Sequence, residues 1–259
     1  MKRWSTLLFG CVAYLVFLAT TLYGIGFTGG LVVPTTLDDR PRGPLWAALL
    51  MDLMLIGLFG IQHSLMARVA FKARWRRLVP EPVERSVFVL AASLLLLLLF
   101  WQWRPLPGVV WSFATGVGHA LLAGAFWLGW LAVVLSTFLI DHFDLFGLRQ
   151  VWLYWRGIAY SPVPFKEAAI LRYVRHPLMT SFVIAFWTTP RMTVGHLVFA
   201  AGMTTYILIG IVFEERDLVR AFGTAYDRYR QQVSMLLPLP PKRPPTEPQQ
   251  RKLRKRPPR

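Results

Sequence analysis

The chain has 259 residues, of which 55% are hydrophobic and 16% are charged, and its formal net charge is +16. This apolar content exceeds that of soluble globular domains, so that class is excluded. A strongly basic soluble protein would suggest a nucleic-acid partner. Here the Lys and Arg residues lie between apolar segments instead, so we predict no nucleic-acid binding. The composition predicts an all-α integral membrane protein.

Five apolar segments are each close to the length of about 20 residues that spans a bilayer as a helix. In chain order they are 7–27, 45–66, 87–103, 120–140 and 194–213. The second of them differs from the others because it carries Asp52, Gln62 and His63.

The first apolar segment is interpreted as a retained membrane helix rather than a signal peptide. Its run of about 21 residues is longer than the core of a typical signal peptide, and no convincing cleavage site follows it. It contains Cys11, the only cysteine of the chain. The chain by itself therefore forms no disulfide and no cysteine-ligated metal site, and we predict no metal site.

A shorter apolar segment, 178–189, precedes the last long one. About 12 helical residues extend roughly 18 Å, which is too short to cross about 30 Å of hydrocarbon. We therefore predict a C-terminal helical hairpin whose turn, at Pro190-Arg191, lies in or near the outer leaflet. The predicted fold is four transmembrane helices followed by this hairpin, within a single domain over residues 1–240.

The distribution of basic residues predicts the orientation in the membrane. Lys and Arg are concentrated in 68–85 and in 241–259, and basic loops face the cytoplasm. The N-terminus, the 67–86 loop, the 141–177 loop and the tail are thus expected on the cytoplasmic side. The tail, 241–259, is basic and rich in proline, so we expect it to be disordered and to touch anionic lipid.

This topology gathers ionisable residues at one membrane depth, where they are candidates for function. They are His63, Asp141, His142, Asp144, Arg175, His176, Glu214 and Glu215. His119 and His196 are expected towards the opposite side and are interpreted as structural.

The stretch "RHP" places Arg175 and His176 directly before Pro177. Proline suits the first turn of a helix, and helix N-termini favour anions. Glu214-Glu215, at the other end of the hairpin, are suited to a cation. A ligand with both a carboxylate and an ammonium group fits this arrangement. The alternative is that Arg175 meets lipid phosphate while the two glutamates pair with neighbouring arginines.

"RHP" at 175–177 and "EERDLVRAFGTAYDRYRQQV" at 214–233 resemble the paired signature of the isoprenylcysteine carboxyl methyltransferase and phospholipid methyltransferase superfamily. The resemblance implies S-adenosyl-L-methionine as methyl donor, bound at the cytoplasmic surface. The residues implied in binding are Arg175, His176, Pro177, Glu214, Glu215 and Tyr226. Met179 stands where the usual pattern has a tyrosine. Tyr226 either closes over the donor or packs an amphipathic surface helix.

Further stretches resemble the bacterial methanethiol S-methyltransferases over about residues 1–240. They are "GFTGGLVVPTTLD", "FGIQHSLMAR", "FWQWRPLP", "STFLIDHFDLFGLRQVW" and "VGHLVFA". This resemblance implies a bacterial inner-membrane enzyme that transfers a methyl group to the small thiol methanethiol and forms dimethyl sulfide. The "QHS" stretch also resembles NnrU-like membrane proteins.

Two alternatives stay open at this point. One is a membrane methyltransferase with another acceptor, such as prenylcysteine, a phospholipid or a different thiol. The other is a non-enzymatic NnrU-like component that binds haem or transports a solute, with His63, His142 and His176 as ligands or as a polar path.

Methylation of a thiol requires loss of its proton, and a simple alkyl thiol is poorly ionised at neutral pH. Histidine suits the role of base. His142 is the first candidate, with Asp141 or Asp144 orienting it if the helix continues, or with Asp141 itself taking the proton. His63 is the reserve. The alternative is that the positive sulfur of the donor lowers the thiol pKa enough that no base is needed.

Overall fold

In the computed structural model, the described residues are 2–39, 43–162 and 169–241. Ten helices and two short strands are present among them. They are α1 (Arg3–Gly29), α2 (Leu45–Ala67), α3 (Val69–Trp75), α4 (Glu81–Gln102), β1 (Val109–Ser112), α5 (Gly116–Ile140), α6 (His142–Leu145), α7 (Leu148–Arg156), α8 (Pro177–Trp187), β2 (Arg191–Thr193), α9 (Val194–Phe222) and α10 (Thr224–Gln232). The predicted tail lies outside the described residues apart from Pro241.

Five of these helices are long and apolar enough to cross a membrane: α1, α2, α4, α5 and α9. The shorter apolar helix α8 precedes α9, so the predicted short arm and long arm are both present. The prediction of an all-α integral membrane protein with a C-terminal hairpin is confirmed. One boundary differs, because α9 continues to Phe222 rather than ending near residue 213. Glu214 and Glu215 are therefore inside the helix.

The two strands, which were not predicted, join the hairpin turn to the loop between α4 and α5. They pair antiparallel, with Val109 opposite Thr193 and Ser112 opposite Arg191. The Trp111 indole also donates to the Thr189 carbonyl at 3.0 Å. Because β1 leads into α5 and β2 follows α8, the start of α5 and the end of α8 lie at the same end of the bundle. These two helices therefore run antiparallel.

Helices α5 and α8 approach closely where small residues meet. A Cβ built on Gly129 would lie 2.8 Å from the backbone nitrogen of Ala185 and 3.1 Å from its Cβ. Beside this contact the Trp130 ring packs edge-on against Phe182 and Phe186. Small residues at such crossings allow membrane helices to pack at short distance. This contact fixes α8, which carries the candidate site.

We expect Gly129→Ala to destabilise the protein, because the added methyl group meets the Ala185 backbone, which has no flexible end to move. Overpacking of this kind costs about 1 to 3 kcal/mol. Gly124→Ala, on the same helix, is the matched control, since nothing lies within 4 Å of its added Cβ. Thermal unfolding of both variants in detergent measures the difference. Equal melting temperatures would show that the close approach is not limiting for stability.

Asp52, inside α2, is fully buried, and the sequence did not identify its partner. The structure supplies one, since the Arg104 backbone N–H donates to Asp52 Oδ1 at 2.9 Å. A carboxylate buried in a membrane helix needs such a donor. Arg104 follows the end of α4, so this bond fastens α2 to the turn after α4. Asp52 Oδ1 thus has a structural role, while Oδ2 is buried without a hydrogen-bond partner among the described residues.

Candidate functional site

The candidate site is built where the beginning of α8 meets the last turns of α9. His176 is the residue before α8, and Pro177 occupies the first turn of the helix, as the "RHP" stretch predicted. On α9, Glu215 is buried while the Glu214 side chain is 50% exposed. The two stretches singled out from the sequence are therefore adjacent in space.

Glu215 is at the centre of a buried charge cluster. Its Oε1 lies 3.1 Å from Arg175 Nε and 3.2 Å from His176 Nε2, while its Oε2 lies 3.9 Å from Arg230 Nη1. The Arg175 and Glu215 side chains are only 9% and 10% exposed. We refer to Arg175, His176, Glu214 and Glu215 as the Glu215 cluster.

Glu214 forms the open side of the Glu215 cluster. Its Oε2 lies 3.5 Å from His176 Nδ1, so the imidazole has one carboxylate near each ring nitrogen. Arg175 Nε, although close to Glu215, makes no hydrogen bond of suitable geometry among the described residues and is buried. A buried guanidinium N–H without an acceptor is able to receive a further anionic group.

Residues 229–236, which we call the closing segment, hold the start of α8 in place. The backbone N–H groups of Arg175 and His176 donate to the carbonyls of Ser234 and Met235 at 2.9 and 3.3 Å. Arg175 Nη1 donates to the Arg230 carbonyl at 2.6 Å. The closing segment therefore fixes both the backbone and the guanidinium of the "RHP" stretch.

Tyr226, on α10, lies beside the Glu215 cluster. Burial, and secondarily the Glu215 carboxylate, raises the pKa of Tyr226 to about 12, so its hydroxyl keeps its proton at neutral pH. Its ring contacts that of Tyr229 at a centroid distance of 5.8 Å, and Tyr229 donates to the Leu171 carbonyl. Tyr226 therefore has a protonated hydroxyl at the edge of the cluster, and Tyr229 is a structural contact.

His142 lies in a separate aromatic environment. It is 8% exposed and its ring stacks on Phe138 at a centroid distance of 4.4 Å. Its Nδ1 is 2.8 Å from the Thr137 hydroxyl, and its Nε2 is 2.7 Å from the Tyr14 hydroxyl. Burial lowers the pKa of His142, and the nearby Asp141 carboxylate partly opposes this. Burial therefore favours the neutral form of the imidazole.

Asp141 and Asp144, which were expected to orient His142, have other partners. Helix α5 ends at Ile140, and Asp141 has a φ of 127°, so the helix does not continue through it. Asp141 caps α6 by accepting from the Asp144 N–H at 3.1 Å, and Asp144 pairs with Arg149 at 2.9 Å. The two side chains therefore do not share a helix face beside the His142 ring, contrary to that expectation.

His63 is one turn before the end of α2. Its ring is 4.8 Å from that of Phe88 and 6.0 Å from that of Tyr206, measured between centroids. Its Nδ1 is buried without a hydrogen-bond partner in the described part of the chain. Within the described residues, no hydrogen bond to Nδ1 orients His63 as a base.

His142 and the Glu215 cluster lie at the same end of the bundle. The antiparallel contact between Gly129 and Ala185 sets the register of α5 and α8, and following both helices for about eight residues brings Thr137 level with Pro177. No hydrogen bond or ion pair within the described ranges joins His142 to the Glu215 cluster directly. Within those ranges, no group of three or more His, Cys, Asp or Glu side chains is arranged to hold a metal ion.

Three residues of these two sites were missed by the sequence analysis: Tyr14, Thr137 and Arg230. Tyr14 is 128 positions from His142 in the chain. A tyrosine among the apolar residues of a membrane helix does not indicate a functional contact. Thr137 and Arg230 lie inside quoted stretches, but only the folded contacts distinguish them from their neighbours.

Comparison with known proteins gives closely similar relatives. A methanethiol S-methyltransferase of Mycobacterium tuberculosis is 52% identical over 240 residues, covering 93% of this chain and 98% of the relative. One of Crocosphaera subtropica is 50% identical over 238 residues, covering 92% and 93%. Mouse Nurim is 30% identical over 192 residues, covering 70% and 71%. No protein-family model and no solved structure matches the chain.

The similarity to the two bacterial relatives extends over nearly the whole of each protein. The resemblance drawn from the sequence motifs is confirmed. The chain belongs to the methanethiol S-methyltransferase family.

Proposed function

We propose that this protein methylates methanethiol with S-adenosylmethionine as donor, forming dimethyl sulfide at the cytoplasmic face of the bacterial inner membrane. The similarity to relatives named for this reaction supports the acceptor. The observation that supports the donor is the Glu215 cluster, in which a buried arginine and histidine meet two carboxylates at the start of an apolar helix.

The Glu215 cluster fits the amino-acid end of S-adenosylmethionine. Arg175 Nε, which is buried without a hydrogen-bond acceptor among the described residues, and the N-terminus of α8 suit its carboxylate. Glu214 and Glu215 suit its ammonium group. Glu215 already pairs with Arg175 and His176, so contacts with the donor replace part of these pairs. Glu214 is half exposed, and the donor therefore enters from its side of the cluster. Tyr226 keeps its proton and is available to donate.

The chemistry needs few groups from the protein. S-adenosylmethionine, when bound, supplies an electrophilic methyl group on a positively charged sulfur. The chain contributes orientation through the Glu215 cluster, exclusion of water by the apolar helices, and His142 as the final base for the proton that the thiol loses. A small apolar thiol and its product both partition into a bilayer, which is consistent with a site among membrane helices.

The test of this function is measurement of dimethyl sulfide in the headspace over cells that express the protein and are supplied with methanethiol. The purified protein is assayed in parallel with S-adenosylmethionine and methanethiol, a longer alkyl thiol, a prenylcysteine and a phospholipid. Formation of dimethyl sulfide above the level of cells with an empty vector supports the proposal. Methylation of another acceptor but not methanethiol would contradict the proposed acceptor and leave a membrane methyltransferase.

The orientation is tested separately. We expect reporters fused after residue 241 or at the N-terminus to read as cytoplasmic, because the basic loops face that side. Reporters inserted at residues 113–115, after β1, are expected to read as periplasmic. The two kinds of fusion control each other, since they sample the two expected sides of the membrane. A periplasmic signal from the residue 241 fusion would contradict the hairpin topology.

A further inference from the structure

The two hydroxyl contacts of His142 define its protonation state. The Thr137 hydroxyl donates its single proton to the Val134 carbonyl at 2.7 Å. Its oxygen is therefore the acceptor in the 2.8 Å contact with His142 Nδ1, and Nδ1 carries the proton. In a neutral imidazole the other nitrogen, Nε2, then has only a lone pair. Thr137 thus selects the tautomer.

The lone pair of Nε2 is already engaged. The Tyr14 hydroxyl lies 2.7 Å from it, and because Nε2 bears no proton, Tyr14 is the donor. Phe138 stacks on the imidazole at a centroid distance of 4.4 Å, and Phe146 packs edge-on at 5.0 Å. A thiol therefore has no direct access to the basic nitrogen. Among the described residues, no donor bonds the second lone pair of the Tyr14 oxygen.

We propose that Tyr14 relays the thiol proton to His142, and that Thr137 is a positioning residue that keeps His142 Nε2 basic. This rests on the proposed function. The S–H bond of the thiol breaks as its proton bonds to the Tyr14 oxygen, and the Tyr14 proton passes to Nε2. The thiolate sulfur bonds the methyl carbon as the carbon–sulfur bond to the donor breaks, and that electron pair stays on the leaving thioether. The protonated His142 later releases its proton to solvent.

The first test does not depend on activity. Histidine labelled with ¹⁵N in the intact protein reports by NMR which ring nitrogen bears the proton, and His142→Gln assigns the signal. We expect the Nδ1–H tautomer in the unaltered protein and in Thr137→Ser, and its loss in Thr137→Val. A neutral His142 protonated at Nε2 would overturn the proposal, since Tyr14 would then accept rather than donate.

The second test is kinetic. Tyr14→Phe removes only the hydroxyl and should lower kcat/KM by about 100-fold near neutral pH, as expected for loss of a proton-transfer group. The loss should shrink as pH rises towards the thiol pKa. Tyr14→Phe combined with His142→Gln should be no slower than either alone, because both act in one relay. Tyr23→Phe is the control, since Tyr23 is also on α1 but bonds Thr35.

The two proposals fail in different ways. If the unaltered protein forms no dimethyl sulfide, the proposed function is wrong, and the tautomer measurement still tests the Thr137 assignment. If the unaltered protein is active and Tyr14→Phe matches it across the pH range, the relay is wrong. Binding of S-adenosylhomocysteine by each variant shows that the fold is intact.

Discussion

Replacing Glu215 with glutamine is expected to weaken binding of S-adenosylhomocysteine by about 100-fold or more, and to lower the melting temperature as well. Glu215 is the carboxylate shared by Arg175 and His176, and all three side chains are at most 10% exposed. Removing one partner from a buried pair leaves the other charge uncompensated, at a cost of about 3 to 5 kcal/mol. Calorimetry measures the binding, and thermal unfolding in detergent measures the stability.

Two variants on the same helix serve as controls for Glu215→Gln. Glu214→Gln should weaken binding less and leave stability nearly unchanged, because that side chain is half exposed. Asp217→Asn should change neither quantity, since its partners are Arg68 and Arg220 outside the cluster. Unchanged affinity for S-adenosylhomocysteine in a folded Glu215→Gln protein would remove the Glu215 cluster from the donor site.

The second large effect is expected at His142. His142→Gln should lower kcat/KM by roughly 100-fold or more near neutral pH. The loss should be relieved at high pH, where solvent hydroxide provides the thiolate. Affinity for S-adenosylhomocysteine should stay unchanged, because His142 does not contact the Glu215 cluster. This separates a defect in proton transfer from a defect in donor binding.

The lowered pKa of His142 also predicts the pH dependence of the unaltered enzyme. Burial lowers this pKa below the ordinary histidine value of about 6.5, so the base stays deprotonated down to a lower pH. The acid limb of kcat/KM should therefore have its midpoint below about 6.5. The same shift makes the folded protein less stable as pH falls from about 6.5 towards the lowered pKa of His142, because the unfolded chain binds the proton more readily.

His63→Gln and Asp141→Asn are the comparison variants for His142. His63 is surrounded by aromatic rings, and Asp141 serves as the cap of α6, so neither is expected to show a loss relieved at high pH. If His142→Gln also keeps the wild-type rate near pH 7, the base is not needed. The positive sulfur of the donor would then be sufficient to ionise the thiol.

The membrane helices could be predicted because a bilayer imposes a length and an apolar composition on each span. The end of α9 could not be placed in this way. The charges at 214–217 indicated that the chain leaves the hydrocarbon there. Such charges show where side chains meet water, but they do not show where the helix ends. No glycine or proline interrupts the chain until Gly223, which has a φ of 56°, so the helix continues into water.

The Glu215 cluster was predictable in part because each half is a contiguous stretch with a distinctive order of charges. The hydrogen-bond partners of His142 could not be predicted from the sequence. The sequence offered nearby carboxylates, whereas the positive φ of Asp141 turns the chain out of the helix and exposes the ring to Tyr14 of α1. A contact between positions 14 and 142 depends on how whole helices pack, and it cannot be predicted from composition or residue spacing.

The closing segment has a consequence for how the protein matures. Residues 229–236 bond the start of α8 and the turn before it across sequence separations of 55 to 59 residues. They follow the five helices that are long and apolar enough to cross a membrane. During synthesis every apolar helix can enter the bilayer before these bonds exist. Membrane insertion and completion of the Glu215 cluster are therefore separate events, and we expect a chain interrupted at residue 228 to be inserted but to lack the contacts that hold the start of α8.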